Sequence, residues 1–179
     1  MKKITSVAGF KDPYTKRIMS NVLNEDAFEI YKKTPGSIER SLRGLKDADL
    51  TTPPAPGKWT VAQIMAHLCD AEIVTSYRYR LAISESGRPI QAYDQDKWAD
   101  NLAYDSADCR KKLDLFVKMR QENIALLASL TPKQWQRYGM HEERGKETVE
   151  RMVQMIAGHD INHVRQIEEM GKKFRRRRA

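Results

Sequence analysis

Apolar residues recur at spacings of three and four along most of the chain, the period of an α-helix with one buried face, and proline and glycine punctuate the gaps. The first 25 residues lack that period and read as an arm. Helical pattern begins near Asp26. The run Thr34-Pro35-Gly36 interrupts it, with Thr34 as an N-cap and Pro35 at the first helical position. Ile38, Leu42 and Leu45 then mark one face. Thr51-Thr52-Pro53-Pro54-Ala55-Pro56-Gly57 is a breaker. Thr60 and Gln63 form a capping box that opens a second long helix to about Ser86. Its inward stripe is Ile64, His67, Ala71, Val74, Arg78 and Leu81.

Gly87-Arg88-Pro89 ends that helix, and a connection from Pro89 to Asp105 follows, with a helical turn expected near Tyr93 to Trp98. Ser106 is the expected cap of a third helix, whose apolar face is Leu113, Phe116, Val117, Ile124 and Leu127. Thr131-Pro132 starts a short turn through Trp135, and Tyr138 to Lys146 reads as a polar loop. Thr148 caps the last helix, with a stripe of Met152, Met155/Ile156, His159, His163, Ile167 and Met170. The alternating β-branched runs that strands need are missing. Four such stripes are buried most simply in an all-α four-helix bundle, and the connection between the second and third helices is long enough for a crossover. The expected organisation is an arm (1–25), a helical-bundle metal-binding domain (26–170) and a basic tail (171–179).

At 179 residues the chain suits one domain with a real core. With 40% hydrophobic and 31% charged residues, and no apolar run near the roughly 20 residues of a membrane span, no membrane is expected. Met1-Lys2-Lys3-Ile4-Thr5 leads into no apolar segment, so no signal peptide is expected either. Cys69 and Cys109 give no CxxC spacing, which points to a reducing cytoplasm. The net charge is +8, but Lys172, Lys173 and Arg175 to Arg178 supply six of those charges. A basic tail without an aromatic stacking platform argues against nucleic acid as the main partner, leaving at most a weak contact with RNA, DNA or anionic lipid.

The chemistry lies in the histidines. His159 and His163 are four apart and share a helix face, and His67 stands on a separate stripe. A lone histidine is more often a satisfied core or surface residue, and i,i+4 pairs also arise by chance. Here all three fall on stripes otherwise filled by Ile, Met, Val and Ala. A buried neutral imidazole needs a partner, and three protein ligands with one open position is the pattern of catalytic zinc sites. His141, in Met140-His141-Glu142-Glu143-Arg144-Gly145, reads as exposed, with an outer or substrate contact open to it if that loop covers the site. Asp70 is read either as a support for a ligand histidine or its bound water, or as a solvated helix charge; Asp160 is read as a solvated charge. Cys69 points away from His67 and is not a ligand. Arg78 and Arg120 interrupt apolar stripes and would bind an anion, pair with a buried carboxylate, or snorkel to the surface.

The segments Pro56-Gly57-Lys58-Trp59-Thr60-Val61, Ala66-His67-Leu68-Cys69-Asp70-Ala71-Glu72, Tyr93-Asp94-Gln95-Asp96-Lys97-Trp98 and Gly158-His159-Asp160-Ile161-Asn162-His163 resemble, in order and spacing, the DinB-like metalloproteins of the YfiT or DinB_2 branch. The resemblance covers about Asp26 to Met170. It implies a four-helix bundle with a long crossover and a divalent metal held by His67, His159 and His163. It further implies a metal-dependent hydrolase, or a thiol S-transferase using bacillithiol, mycothiol or a similar cofactor, acting on a small-molecule substrate, with homodimers in some members. An open metal position lowers the pKa of water or thiol and polarises an electrophile, so both chemistries use the same ligands. The lack of a glutamate placed like that of HExxH weighs mildly against hydrolysis. On the resemblance, S-transfer to small electrophiles is the expected activity. A hydrolase of a small ester or amide and a non-catalytic metal-binding module are the alternatives. Three imidazoles suit zinc, nickel, cobalt or iron, with zinc the default.

Overall fold

Helix starts are set by side chains that accept the unpaired N–H groups of a first turn. In the computed structural model, which describes residues 1–177, Asp12 opens α1 (Pro13–Ser20) and Asp26 opens α2 (Ala27–Leu42). After α3 (Asp47–Thr51), the Thr60/Gln63 capping box forms as expected and opens α4 (Val61–Ser84), with Thr60 N–H donating to Gln63 Oε1 at 2.8 Å. The crossover contains β1 (Pro89–Ile90), α5 (Gln95–Asn101) and a 3-10 turn at Tyr104–Ser106. Asp108, two residues beyond the expected Ser106, caps α6 (Cys109–Ala128). Then follow α7 (Pro132–Trp135), β2 (Tyr138–His141), β3 (Gly145–Thr148) and α8 (Val149–Arg176), capped by Thr148.

The long helices α2, α4, α6 and α8 form the four-helix bundle. One core joins Ile38 of α2 to Met65 and Leu68 of α4, Phe116 of α6 and Ile167, Met170 and Phe174 of α8. At the other end Tyr31, Tyr79, Leu127 and Val153 meet. The late part of α2 therefore sits with the early part of α4 and α6 and the late part of α8. So α2 and α8 run one way, α4 and α6 the other, and the parallel α4–α6 pair requires the crossover between them.

Several expectations need correction. The arm contains α1, whose Ile18 and Met19 are fully buried against α8. An eight-residue helix with so few apolar positions shows no period. The contact is close because α8 has glycine there: a Cβ on Gly158 would lie 2.2 Å from the Ile18 carbonyl oxygen. Asn21 Nδ2 also donates to the Gly158 carbonyl at 2.9 Å. We expect Gly158→Ala to push α1 off α8 and to lower stability by about 1–3 kcal/mol in urea unfolding; an unchanged midpoint would contradict this packing.

Pro35 does not interrupt α2, which runs straight through it. A proline inside a helix leaves the carbonyl four residues earlier without its donor. Here that carbonyl belongs to Tyr31, and Arg120 Nη1 of α6 donates to it at 2.9 Å. The polar loop at 138–146 is a β-hairpin, with Gly145 in the left-handed region (φ 72°) at its corner. Its buried positions are Gly139, His141 and Glu147, so no hydrophobic alternation announced it. With β1 the hairpin makes a three-stranded sheet in the order β1-β2-β3. The supposed tail continues α8 to Arg176, with Gly171 and Phe174 buried; Arg178 and Ala179 lie outside the described residues. Cys69 and Cys109 are free and buried. No helix among the described residues is long and apolar enough to cross a membrane.

Candidate metal centre

Because α4 and α8 run in opposite directions, His67 meets His159 and His163 in the bundle interior. The Nε2 atoms of His67 and His159 are 2.9 Å apart, and those of His159 and His163 are 3.1 Å apart. All three residues are buried, with one ligand atom from each inside a single 4.8 Å group. Nitrogens bound tetrahedrally at 2.0–2.1 Å would stand about 3.3 Å apart, so a small outward shift of the rings admits an ion.

The donor set has the right protonation state. Burial pushes the His67 pKa down to about 3 and, with like-charge repulsion from its two neighbours, that of His159 well below the ordinary imidazole value. Burial also lowers that of His163 to about 4, against the pull of Gln166. All three are therefore neutral near pH 7. Gln166 Oε1 lies 2.8 Å from His163 Nδ1, which places the proton on Nδ1 and turns the Nε2 lone pair toward the trio. The buried Nδ1 atoms of His67 and His159 have no hydrogen-bond partner among the described residues. Three nitrogens facing one point cannot all be satisfied by one another's protons, and a cation satisfies them together. The residues fit a divalent metal.

The carboxylates near the ligands do other work. Asp70 is buried and accepts from Tyr104 Oη at 2.6 Å, with Lys112 Nζ at 3.9 Å. Asp160 is not a solvated charge: it is 1% exposed and accepts from Arg120 Nη1 at 2.7 Å. Its Oδ1 stands 4.0 Å from His159 Nδ1, beyond hydrogen-bond reach. Arg120 also donates to Glu72 Oε2 at 2.8 Å, and Glu72 Oε1 accepts from Tyr31 Oη and Asn123 Nδ2 at 2.6 and 2.7 Å. Burial alone would lower the Arg120 pKa, but Asp160 and Glu72 outweigh it and hold the guanidinium charged. Burial raises the Asp160 pKa, and the Arg120 charge adds to what keeps the His159 ring neutral.

Two cavities reach the histidines. One, of about 480 Å³, is bordered by His163, Trp59, Tyr14, Arg17 and Lys173. The other, of about 290 Å³, is bordered by His67 and His159 together with Arg78, Tyr93 and His141. Tyr14 and Gln95 border both. His141 is thus buried, not exposed: its Nδ1 accepts from the Glu143 N–H at 3.2 Å, and the hairpin turns the ring inward. Arg78 is half-buried, donates to the Gln91 carbonyl and lies 5.9 Å from the Tyr93 ring centroid. Cys69 is outside the trio, and burial raises its thiol pKa to about 11.

The three histidines found in the sequence are therefore the three brought together. Arg120, a charge on an apolar stripe, does pair with buried carboxylates, one of the roles open to it from the sequence; Gln166 and Glu72 were missed, and His141 and Asp160 were misread. Gln166 did carry a signal, being polar and three residues from His163 on the same helix.

The chain matches the model of the DinB superfamily over residues 30–167. It is 27% identical over 148 residues to the Bacillus subtilis protein named "Putative metal-dependent hydrolase YfiT", covering 82% of this chain and 83% of that one. A relative named in the same way from Oceanobacillus iheyensis is 28% identical over 156 residues, covering 87% and 90%. The solved structure of Bacillus subtilis YfiT, described as "a probable metal-dependent hydrolase with an unusual four-helix bundle topology", superposes with a TM-score of 0.76 at 26% identity, over 83% of this chain and 85% of that one.

Proposed function

The chain belongs to the DinB superfamily, and from that premise we propose that it is a divalent-metal-dependent enzyme that transfers a low-molecular-weight thiol to a small electrophile, with His67, His159 and His163 holding the ion. The observation that carries the S-transfer reading is the pair of cavities converging on the trio, one at His163 and the other at His67 and His159. A two-substrate reaction needs two compartments that share the reacting centre, and bacillithiol, mycothiol or a similar thiol would occupy one of them.

A divalent ion with an open position lowers the pKa of a thiol or water and polarises an electrophile. The chain's own residues set the conditions for it. Three neutral ligands leave the ion's charge undiminished. Met152, Met155 and Ile156 form an apolar wall on the side of His67 and His159. Asp160 and Asp70 are engaged by Arg120 and Tyr104, so neither stands ready as a general base for water. Thiol transfer needs no such base once the thiol proton has left: a C–S bond forms, the leaving group departs with its electron pair, and one proton is released.

Hydrolysis of a small ester or amide is the second reading, favoured by the names of the relatives. Zinc is the working assignment, and nickel, cobalt and iron also suit three imidazoles. The test is zinc-loaded protein with bacillithiol or mycothiol and an activated aryl chloride, beside a nitrophenyl ester without thiol. We expect thiol-dependent conjugate formation that stops on chelation and returns with zinc. Ester cleavage without thiol would instead select the hydrolase, and neither activity would leave a metal-binding module.

A further inference from the structure

We propose that the smaller cavity is an organic-anion site in which Arg78 binds a carboxylate of the substrate while the reacting group of the same molecule reaches the histidine trio. This rests on the trio being a metal centre and adds the class of molecule it serves.

Arg78 lies eleven residues after His67 on one helix, three turns along the same face, about 16 Å by backbone rise. Helical side chains lean toward the N-terminus, so the long Arg78 side chain points back toward His67. Both residues border the same cavity of about 290 Å³, and His159 borders it too.

The guanidinium has no carboxylate of its own. Among the described residues no ion pair includes Arg78; its hydrogen bond goes to the neutral Gln91 carbonyl. The nearby Glu147 carboxylate is taken by Arg144, which donates to both its oxygens at 2.7 and 3.1 Å. Glu143, also on the cavity wall, is exposed to water. Burial and the like charge of Arg144 lower the Arg78 pKa, outweighing the opposite pull of Glu147, Tyr93 and Glu142. A partly desolvated guanidinium that spends Nη2 on the Gln91 carbonyl still has Nε and Nη1 to offer a carboxylate. Between Arg78 and the trio the wall is apolar at Met152, Met155 and Ile156. That combination fits an acid at one end, an aliphatic or aromatic body, and a reacting group at the other end.

The probes are ω-mercapto acids of increasing chain length and their methyl esters, titrated calorimetrically into zinc-loaded protein. One length of acid should bind about tenfold or more tightly than its ester, since a charge-assisted hydrogen bond is worth that much. Arg78→Met should remove the preference while leaving ester affinity within about twofold, and Arg78→Lys should retain part of it. Equal binding of acid and ester by the wild type, or an acid preference that survives Arg78→Met, would overturn the anion site. Failure of the metal reading looks different: neither acid nor ester would bind, or His159→Ala would bind both as well as the wild type.

Discussion

Replacing His159 by alanine is expected to remove at least 99% of the protein's metal affinity while leaving its helical content intact. His159 is the vertex of the trio, with its Nε2 at 2.9 Å from that of His67 and 3.1 Å from that of His163. Without it, two imidazoles on different helices remain, and a two-nitrogen site falls short of the three protein ligands of open zinc centres. Losing an outer support of a ligand already lowers metal affinity 10–100-fold, so losing the central ligand should exceed that range. The fold should survive, because the metal-free trio is itself poorly satisfied: the Nδ1 atoms of His67 and His159 are buried without partners among the described residues. Deleting one such ring trades a small cavity against the removal of an orphaned polar group. The measurement is zinc per chain by elemental analysis, paired with thermal unfolding with and without zinc. Zinc at a hundred times its dissociation constant should stabilise the wild type by about 2.7 kcal/mol and leave the variant unmoved. Full occupancy of His159→Ala would remove the metal assignment and the proposed function with it.

The bundle and the trio were legible in the sequence because both depend on helical period. Stripes at three and four, capping boxes at Thr60 and a cap at Thr148 are local signals, and His67, His159 and His163 are conspicuous as polar entries on apolar faces. What was not legible depended on contacts far apart in the chain. Pro35 follows a rule that forbids it inside a helix, and the rule fails because Arg120, on another helix, supplies a donor for the freed Tyr31 carbonyl. Asp160 looked like a solvated charge for the same reason: its burial is stabilised by a guanidinium forty residues away. His141 is carried inward by a hairpin whose buried face is Gly139, His141 and Glu147, a pattern with no hydrophobic alternation to read. Helix α1 is too short to show a period, and it is held by a close approach at Gly158.

The Arg120 network should be the most sensitive point in the fold. Arg120→Met is expected to lower stability by about 3–5 kcal/mol, because it removes one member of a buried ionic cluster and strands the others. Arg120, Glu72 and Asp160 are each 1% exposed, so neither carboxylate can turn to water when the guanidinium is gone. The Tyr31 carbonyl, already deprived of a helical donor by Pro35, loses its replacement as well. For a chain of this length the loss corresponds to roughly 6–20 °C in the unfolding midpoint. Glu72→Gln is the informative contrast. A glutamine oxygen still accepts from Tyr31 Oη and Asn123 Nδ2 and Arg120 keeps Asp160, but the new amide N–H group faces the Arg120 Nη2 donor where Glu72 Oε2 accepted from it. That variant should lose about 1–3 kcal/mol, the cost of one unmatched buried donor. The cluster ties α2, α4, α6 and α8 together next to His159, so Arg120→Met should also weaken zinc binding in molecules that remain folded, whereas Glu72→Gln should weaken it little. Urea unfolding of both variants, with zinc affinity measured below the transition, separates the effects. Equal destabilisation by the two substitutions would mean that shape, not charge, holds the four helices together at this level.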